Sequence, residues 1–264
     1  MPIGNKETPR FSRGDRVGHG VRTIRLYYEL AYLWPIISPP EEYAGEAAFF
    51  RDIIHEKLGP GRHGLLELGV GGGHNLSHLT AHFECTAVDL SPDMLALSQA
   101  LNPGVEHHVG DMRNIRLDQT FDAVLVHDAA SYLLTGQDLQ ETFETAACHL
   151  RPGGVLMVAP DWVQETFPDG WVYTWDRRQG GMEVKIEEVM VDPDPTDTQV
   201  ESTYTYTIKK DGVVTVEIDT HVTGLFSIDT WTRLMEEAGF SVELRPLPPN
   251  EGGYGSWLFI GILG

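Results

Sequence analysis

Residues 67–73, ELGVGGG, follow the apolar run GLLEL and precede a helical pattern that begins near His74. Gly69, Gly71 and Gly73 stand at every second position, with Gly72 among them, so the main chain can turn tightly and come close to a ligand. A strand, a glycine loop and a helix in this order open a parallel βαβ unit. The alternation continues. A helix around residues 75–83 is followed by the strand CTAVDL, the helix PDMLALSQAL and the strand VEHHVGDM. FDAVLVHD then reads as a buried strand, QDLQETFETAACHL as an amphipathic helix, and GGVLMVAP as a strand after a turn at Pro152, Gly153 and Gly154. Upstream, EEYAGEAAFFRDIIHEKL has apolar residues at helical spacing, with acids early and His55 and Lys57 late, as the helix dipole favours.

After Asp161 the texture changes to segments rich in Thr, Val and Tyr. MEVKIEEVMV, TQVESTYTYTIKK and GVVTVEIDTHVT read as an antiparallel meander, with Asp211-Gly212 as the hairpin between the last two. Tyr204, Tyr206, Glu217 and His221 alternate with apolar residues on these strands. Ser227 is placed to cap the helix IDTWTRLMEEAG, Gly239 stops it, and SVELRPL and SWLFIGIL close the chain as strands. The expected class is α/β, a sheet of about seven strands with an antiparallel β insertion between the fifth strand and the last helix. The expected division is residues 1–40 as arm and lid, 41–162 as ligand-binding core, 163–225 as insertion, and 226–264 completing the core.

The formal charge of −20 argues against nucleic acid as a partner, because a phosphate backbone is held by Lys and Arg. The balance is uneven. Residues 1–25 carry Lys6, Arg10, Arg13, Arg16, Arg22 and Arg25 against Glu7 and Asp15, which suits either a solvated arm or a lid whose arginines meet an anionic acceptor. No stretch approaches the roughly 20 apolar residues of a membrane span, and no secretory leader is evident, so no membrane partner and a cytoplasmic location are expected. Cys85 and Cys148 lack zinc-site spacing and read as reduced core residues.

A dinucleotide loop of the form GxGxxG needs a third glycine where this chain has His74. Glu67 at the strand end instead suits a cofactor bearing an ammonium and a sulfonium, as S-adenosylmethionine does. Asp89, 20 residues after Gly69 and followed by Leu90, is placed to accept ribose hydroxyls. Asp111 and Met112 are placed for the adenine edge, Met94 for its face, and His127 at the sheet end where ligands bind.

ELGVGGG, AVDLSPDML, GDMRNI, FDAVLVHD and LRPGGVLMVAPD, in this order, resemble the class I S-adenosylmethionine-dependent methyltransferases, whose sheet is Rossmann-like. YYELAY, EEYAGEAAFF, NPGVEHHVGDMR and PDWVQETFPDGWV are similar to the N,N-dimethyltransferases acting on nucleotide-linked amino sugars in macrolide antibiotic pathways. The resemblance implies that Tyr28, Gly69, Asp89, Asp111, Met112 and His127 touch the cofactor, while Tyr43, Asp161 and Trp162 face a small-molecule acceptor. It departs at two positions: a family tyrosine falls near Gly20, and a family histidine falls on Leu133.

Transfer of a methyl from a sulfonium is an in-line displacement in which positioning supplies much of the catalysis. A base, where one acts, is expected at His127 or Asp128, helped by Tyr132 or Tyr28, with Tyr28 and Tyr43 as a closing lid. No metal is expected, since the histidines are scattered and His107 and His108 point to opposite faces of a strand. An O-methyltransferase, a nicotinamide-dependent dehydrogenase and a non-catalytic S-adenosylmethionine-binding domain are the alternatives at this point. The insertion also offers an edge that can pair across a homodimer.

Overall fold

A computed structural model describes residues 24–247 and 256–264. The basic stretch through Arg22 and the position near Gly20 lie outside the described residues. Seven strands form one sheet in the order β10-β11-β5-β4-β1-β2-β3. They are β1 (Gly64–Leu68), β2 (Glu84–Asp89), β3 (Glu106–Val109), β4 (Phe121–His127), β5 (Leu150–Ala159), β10 (Phe240–Pro246) and β11 (Trp257–Leu263). β1 to β5 pair in parallel, and β11 runs antiparallel between β5 and β10. Parallel strands are covered on both faces, which is why β4 and β5 read as continuous apolar runs rather than as alternation.

Six helices flank these strands and their loops: α1 (Trp34–Ile37), α2 (Ala44–Leu58), α3 (His74–Leu79), α4 (Pro92–Leu101), α5 (Gly136–His149) and α6 (Ile228–Glu237). One face of the sheet, with Leu66, Val124, Val126 and Val158, packs against Phe143 of α5 and Trp231 of α6. The other, with Leu65, Ala123, Leu125 and Met157, packs against Phe50, Ile53 and Ile54 of α2. Local chemistry agrees with these boundaries. Thr135 and Asp138 form a reciprocal capping box on α5, and Ser91 and Ser227 cap α4 and α6 by accepting from Met94 and Thr230.

The insertion is a separate sheet in the order β6-β7-β8-β9, comprising β6 (Val172–Gln179), β7 (Met182–Val191), β8 (Gln199–Lys210) and β9 (Val213–Gly224). Asp211 and Gly212 both have positive φ, 51° and 79°, as a two-residue hairpin turn requires. One inner face, with Val184, Ile186, Tyr206 and Ile208, packs against Leu26, Leu30, Leu33 and Ile37. The segment preceding α2 is thereby clamped to the insertion.

Four readings are corrected. The insertion has a fourth strand, β6, an edge strand whose only apolar residues are an exposed Val172 and the aromatics Tyr173 and Trp175 on one side, so no apolar run announced it. α3 ends at Leu79 rather than near residue 83. Pro152, Gly153 and Gly154 are absorbed into β5 as an irregularity opposite Phe121 and Ala123, because pairing resumes on both sides of them. Cys148 is exposed on α5 and Cys85 only partly buried, so neither is a full core residue.

Trp231 is fully buried against Phe143, Phe226 and Phe259. Trp231→Ala should lower unfolding free energy by about 3–5 kcal/mol, measured by denaturant titration.

Candidate functional site

The direction of winding changes between β1 and β4, which are adjacent, and ligands bind in such sheets at the carboxyl ends beside that switch. The glycine loop lies there. Gly69 has φ 79°, and a Cβ on it would stand 2.2 Å from Ala129 Cβ; a Cβ on Gly73 would stand 2.2 Å from Ser98 Oγ. The loop admits no side chain at either position. Asp89 holds it in place, accepting from the Gly71 amide at 2.7 Å and from the Ser91 amide at 2.8 Å. Burial raises the Asp89 pKa, against the pull of these amides.

A cavity of about 310 Å³ opens over the loop. Of the expected residues, Tyr28, Tyr43, Glu67, Gly69, Gly71, Asp89, Leu90, Met94, Met112, His127, Asp128 and Tyr132 line it. Asp111 does not. Its carboxylate is taken by Arg113, with Nε at 3.0 Å from Oδ1 and Nη2 at 2.7 Å from Oδ2, and the same arginine reaches Asp138 at 2.6 Å. Arg113 thus holds the Asp111 pKa below its ordinary value and ties the loop after β3 to the start of α5.

Glu67 is 2% exposed, and its Oε2 has no hydrogen-bond partner. Burial pushes its pKa up to about 8; the charge of His127 opposes this, while Asp128, Asp89 and Glu46 add to it. An orphaned carboxyl oxygen beside a side-chain-free loop fits the positive amino acid portion of S-adenosylmethionine, and Asp89 with Met94 and Met112 fits its nucleoside. The residues present therefore match that cofactor.

His127 Nε2 lies 2.9 Å from Glu46 Oε2 and 3.0 Å from Asp128 Oδ1. Burial disfavours charge on the imidazole, but the two carboxylates outweigh it and hold the pKa well above the ordinary histidine value. Asp128 has φ 24°, a conformation that costs energy for a residue with a side chain, at the end of β4.

A second cavity of about 290 Å³ lies under the insertion and shares Asp128 and Tyr132 with the first. Asp161 and Trp162 line it, as do Glu46, Glu188, Tyr204 and His221. β6 contributes an aromatic stack with Trp171: Trp171 on Tyr173 and Tyr173 on Trp175, each at 5.1 Å between ring centroids. Burial raises the Asp161 and Glu188 pKa values, and Asp128 adds to the shift at Asp161. Arg25 is engaged by Glu29, Glu217 and the Ile218 carbonyl.

Sequence reasoning missed Tyr27, Trp34, His74, Glu46 and Glu188 as wall residues. Tyr27 and Trp34 had a signal, the aromatic run from Tyr27 to Trp34 ahead of α2, but only packing shows which rings turn inward. Trp34 stacks on His74 at 6.0 Å, and a Cβ on Gly72 would meet Trp34 at 2.5 Å. Glu46 and Glu188 reach the site from α2 and β7.

A sheet of this order with a glycine loop at its switch point and a buried acid at the end of β1 defines an S-adenosylmethionine-dependent methyltransferase. Residues 65–154 match the methyltransferase domain family. The dTDP-3-amino-3,4,6-trideoxy-alpha-D-glucopyranose N,N-dimethyltransferase of Streptomyces venezuelae is 33% identical over 240 residues, covering 89% of this chain and 95% of that protein. The dTDP-3-amino-3,6-dideoxy-alpha-D-glucopyranose N,N-dimethyltransferase of Streptomyces fradiae is 30% identical over 248 residues, covering 86% and 94%. The crystal structure of Streptomyces venezuelae DesVI superposes with a TM-score of 0.77 at 31% identity, covering 90% of this chain and 97% of that one. An amino pentose methyltransferase of Micromonospora echinaspora, solved with S-adenosylmethionine bound, gives 0.75 at 25% identity, covering 96% and 100%. The chain belongs to the S-adenosylmethionine-dependent methyltransferases, in the branch that contains the sugar N,N-dimethyltransferases.

Two outcomes follow for the cofactor cavity. Asp89→Ala, which frees both loop amides, should weaken S-adenosylmethionine binding by at least about tenfold in calorimetry. The raised Glu67 pKa means the ligand-free folded protein binds this proton more tightly than the unfolded chain. Its stabilising contribution is full below the ordinary carboxyl range and is lost as pH rises toward about 8. A cationic ligand favours the ionised form, so binding near pH 7 should release a proton from Glu67, seen as a buffer-dependent binding enthalpy. Glu67→Gln should remove that component.

Proposed function

We propose that this methyltransferase acts on the amino nitrogen of a small amino sugar carried on a nucleotide and takes it to the tertiary amine. The observation that carries this reading is the second cavity, where Glu46, Asp128, Asp161 and Glu188 stand among aromatic rings. Carboxylates and aromatic faces together receive an ammonium group, one by charge and hydrogen bonding, the other by the ring quadrupole. The names of the Streptomyces relatives support the sugar and nucleotide parts.

S-adenosylmethionine supplies an activated methyl group on a sulfonium. The chain's own residues bind, orient and exclude water. In this reading Asp161 and Glu188, whose pKa values burial raises, face the arriving ammonium and fix its position. Asp128 and Tyr132, on the walls of both cavities, mark where the amine meets the methyl donor. Glu46 and Asp128 favour the charged imidazole at His127, so in this reading it acts electrostatically and positions the Asp128 carboxylate rather than serving as the base. Tyr28, Tyr43 and Trp34 close the cofactor side, where Tyr43 is fixed by a 2.6 Å hydrogen bond to Ser38.

The test is labelled methyl transfer with dTDP-linked amino sugars, simple amines, and the corresponding hydroxy sugars. Product from an amino sugar supports the proposal, and product only from a hydroxy compound overturns it in favour of O-methylation. Asp161→Asn should raise the acceptor KM by roughly tenfold to a hundredfold while leaving S-adenosylmethionine affinity unchanged. A second copy of this chain is the proposed partner at β9, the last strand of its sheet among the described residues, where Val214, Val216 and Ile218 are exposed. Val216→Lys with Ile218→Lys should then shift a dimer to monomer in size-exclusion chromatography with light scattering.

A further inference from the structure

Four side chains from three distant segments meet beside the two cavities, which share Tyr132. Tyr27 and Tyr132 hydroxyls are 2.7 Å apart, Tyr132 Oη is 2.9 Å from His221 Nδ1, and His221 Nε2 is 3.1 Å from Asp219 Oδ2. The Leu26 amide donates to the same carboxylate oxygen at 2.8 Å. With a neutral imidazole at His221, these contacts set the direction of the protons. A carboxylate only accepts, so His221 carries its hydrogen on Nε2 and presents a bare Nδ1. Tyr132 therefore donates to His221, and Tyr27 donates to Tyr132.

The array is costly to build as scaffolding alone. His221 is 2% exposed and Asp219 5%, on a strand whose neighbouring positions accept apolar side chains. Burial works against charge on Asp219, but the His221 hydrogen bond and the Leu26 amide hold its pKa below the ordinary value, so the carboxylate stays ionised. One end of the array reaches the reaction zone: Tyr132 lines both cavities, and His221 lines the acceptor cavity.

We propose that Tyr132, His221 and Asp219 form the proton outlet of the methyl transfer, with His221 and Asp219 acting through Tyr132 as positioning residues. This rests on the reading of the acceptor as an amine. An amine nitrogen that has received a methyl carries a positive charge and must lose a proton before it can attack again. That proton passes to Tyr132 Oη as the tyrosine's own proton passes to His221 Nδ1. The tyrosine ends neutral, and the imidazolium ends beside the Asp219 carboxylate. When product leaves, His221 returns the proton through the acceptor cavity that it lines.

The groups facing His221 are consistent with this. Tyr204 on β8 lies 4.6 Å away between ring centroids, and its hydroxyl donates to Glu188 of β7 at 2.6 Å rather than to the imidazole. Tyr27 packs on the ring at 5.6 Å, and Ser202 is its register partner across β8 and β9. Asp161 acts electrostatically on Tyr132 and Tyr204, and Glu188 is itself influenced by His221. Nδ1 is left to Tyr132.

The test is a pH profile of kcat for His221→Gln and Tyr132→Phe on the amine that the parent enzyme methylates, with mono- and dimethyl products resolved by mass spectrometry. The expected result for His221→Gln at neutral pH is a loss of about a hundredfold, with unchanged S-adenosylmethionine affinity and accumulation of the monomethyl product. The deficit should shrink as pH rises above the amine's own pKa, because solvent then removes the proton. Tyr132→Phe, which keeps the ring and loses only the relay oxygen, should show the same profile. A loss independent of pH, as misplacement of the segment before α2 would give, overturns the relay, as does activity within about twofold of the parent. If the parent methylates no amine, the functional reading fails and the relay with it; if it does and the variants match it, only the relay fails.

Discussion

The reversal of winding between β1 and β4 is the constraint from which the rest of the site follows. It leaves a crevice at the carboxyl ends of the parallel strands, and β1, β2, β4 and β5 deliver Glu67, Asp89, His127 and, just past the strand end, Asp161 to that one edge. Because neighbouring strands are only about 4.8 Å apart, acids and an imidazole placed at successive strand ends must share a site. Their charges are then set collectively: Glu67 is pushed toward neutrality by burial while His127 is held charged by Glu46 and Asp128.

The second sheet turns this crevice into two connected cavities. Its inner apolar face grips Leu26, Leu30, Leu33 and Ile37, and that grip places Tyr27, Tyr28 and Trp34 over the cofactor side. The second cavity is walled by the aromatic stack of β6 and by Glu188 and Tyr204. One insertion therefore seats the segment before α2 and walls the second cavity, so the two are built on the same sheet.

Much of this was legible in the chain because it depends on local pattern. Strand and helix periodicity, the capping residues Ser91, Thr135 and Ser227, and the Asp211-Gly212 turn each act within a few residues. The glycine loop is of the same kind: its need for Gly69 and Gly73 shows as spacing, although the atoms that exclude a side chain there, from Ala129 and Ser98, come from elsewhere. β6 was not legible, because an edge strand carrying aromatics on one face lacks an apolar run. Asp111 was read by position as an adenine contact, and only the structure shows Arg113 taking its carboxylate.

The sequence alone determined the α/β class, the place of the insertion and the methyl donor, since these rest on periodicity and on a strand-end acid beside a glycine loop. The tertiary structure decided which charged groups meet in the site and which side chains wall its two cavities. Tyr27, Tyr132 and His221 are separated by 105 and 89 residues, and Glu46 on α2 meets His127 at the end of β4. No local pattern encodes such meetings; they arise when two sheets and one lid segment pack together, and burial then fixes the protonation of whatever has been brought inside.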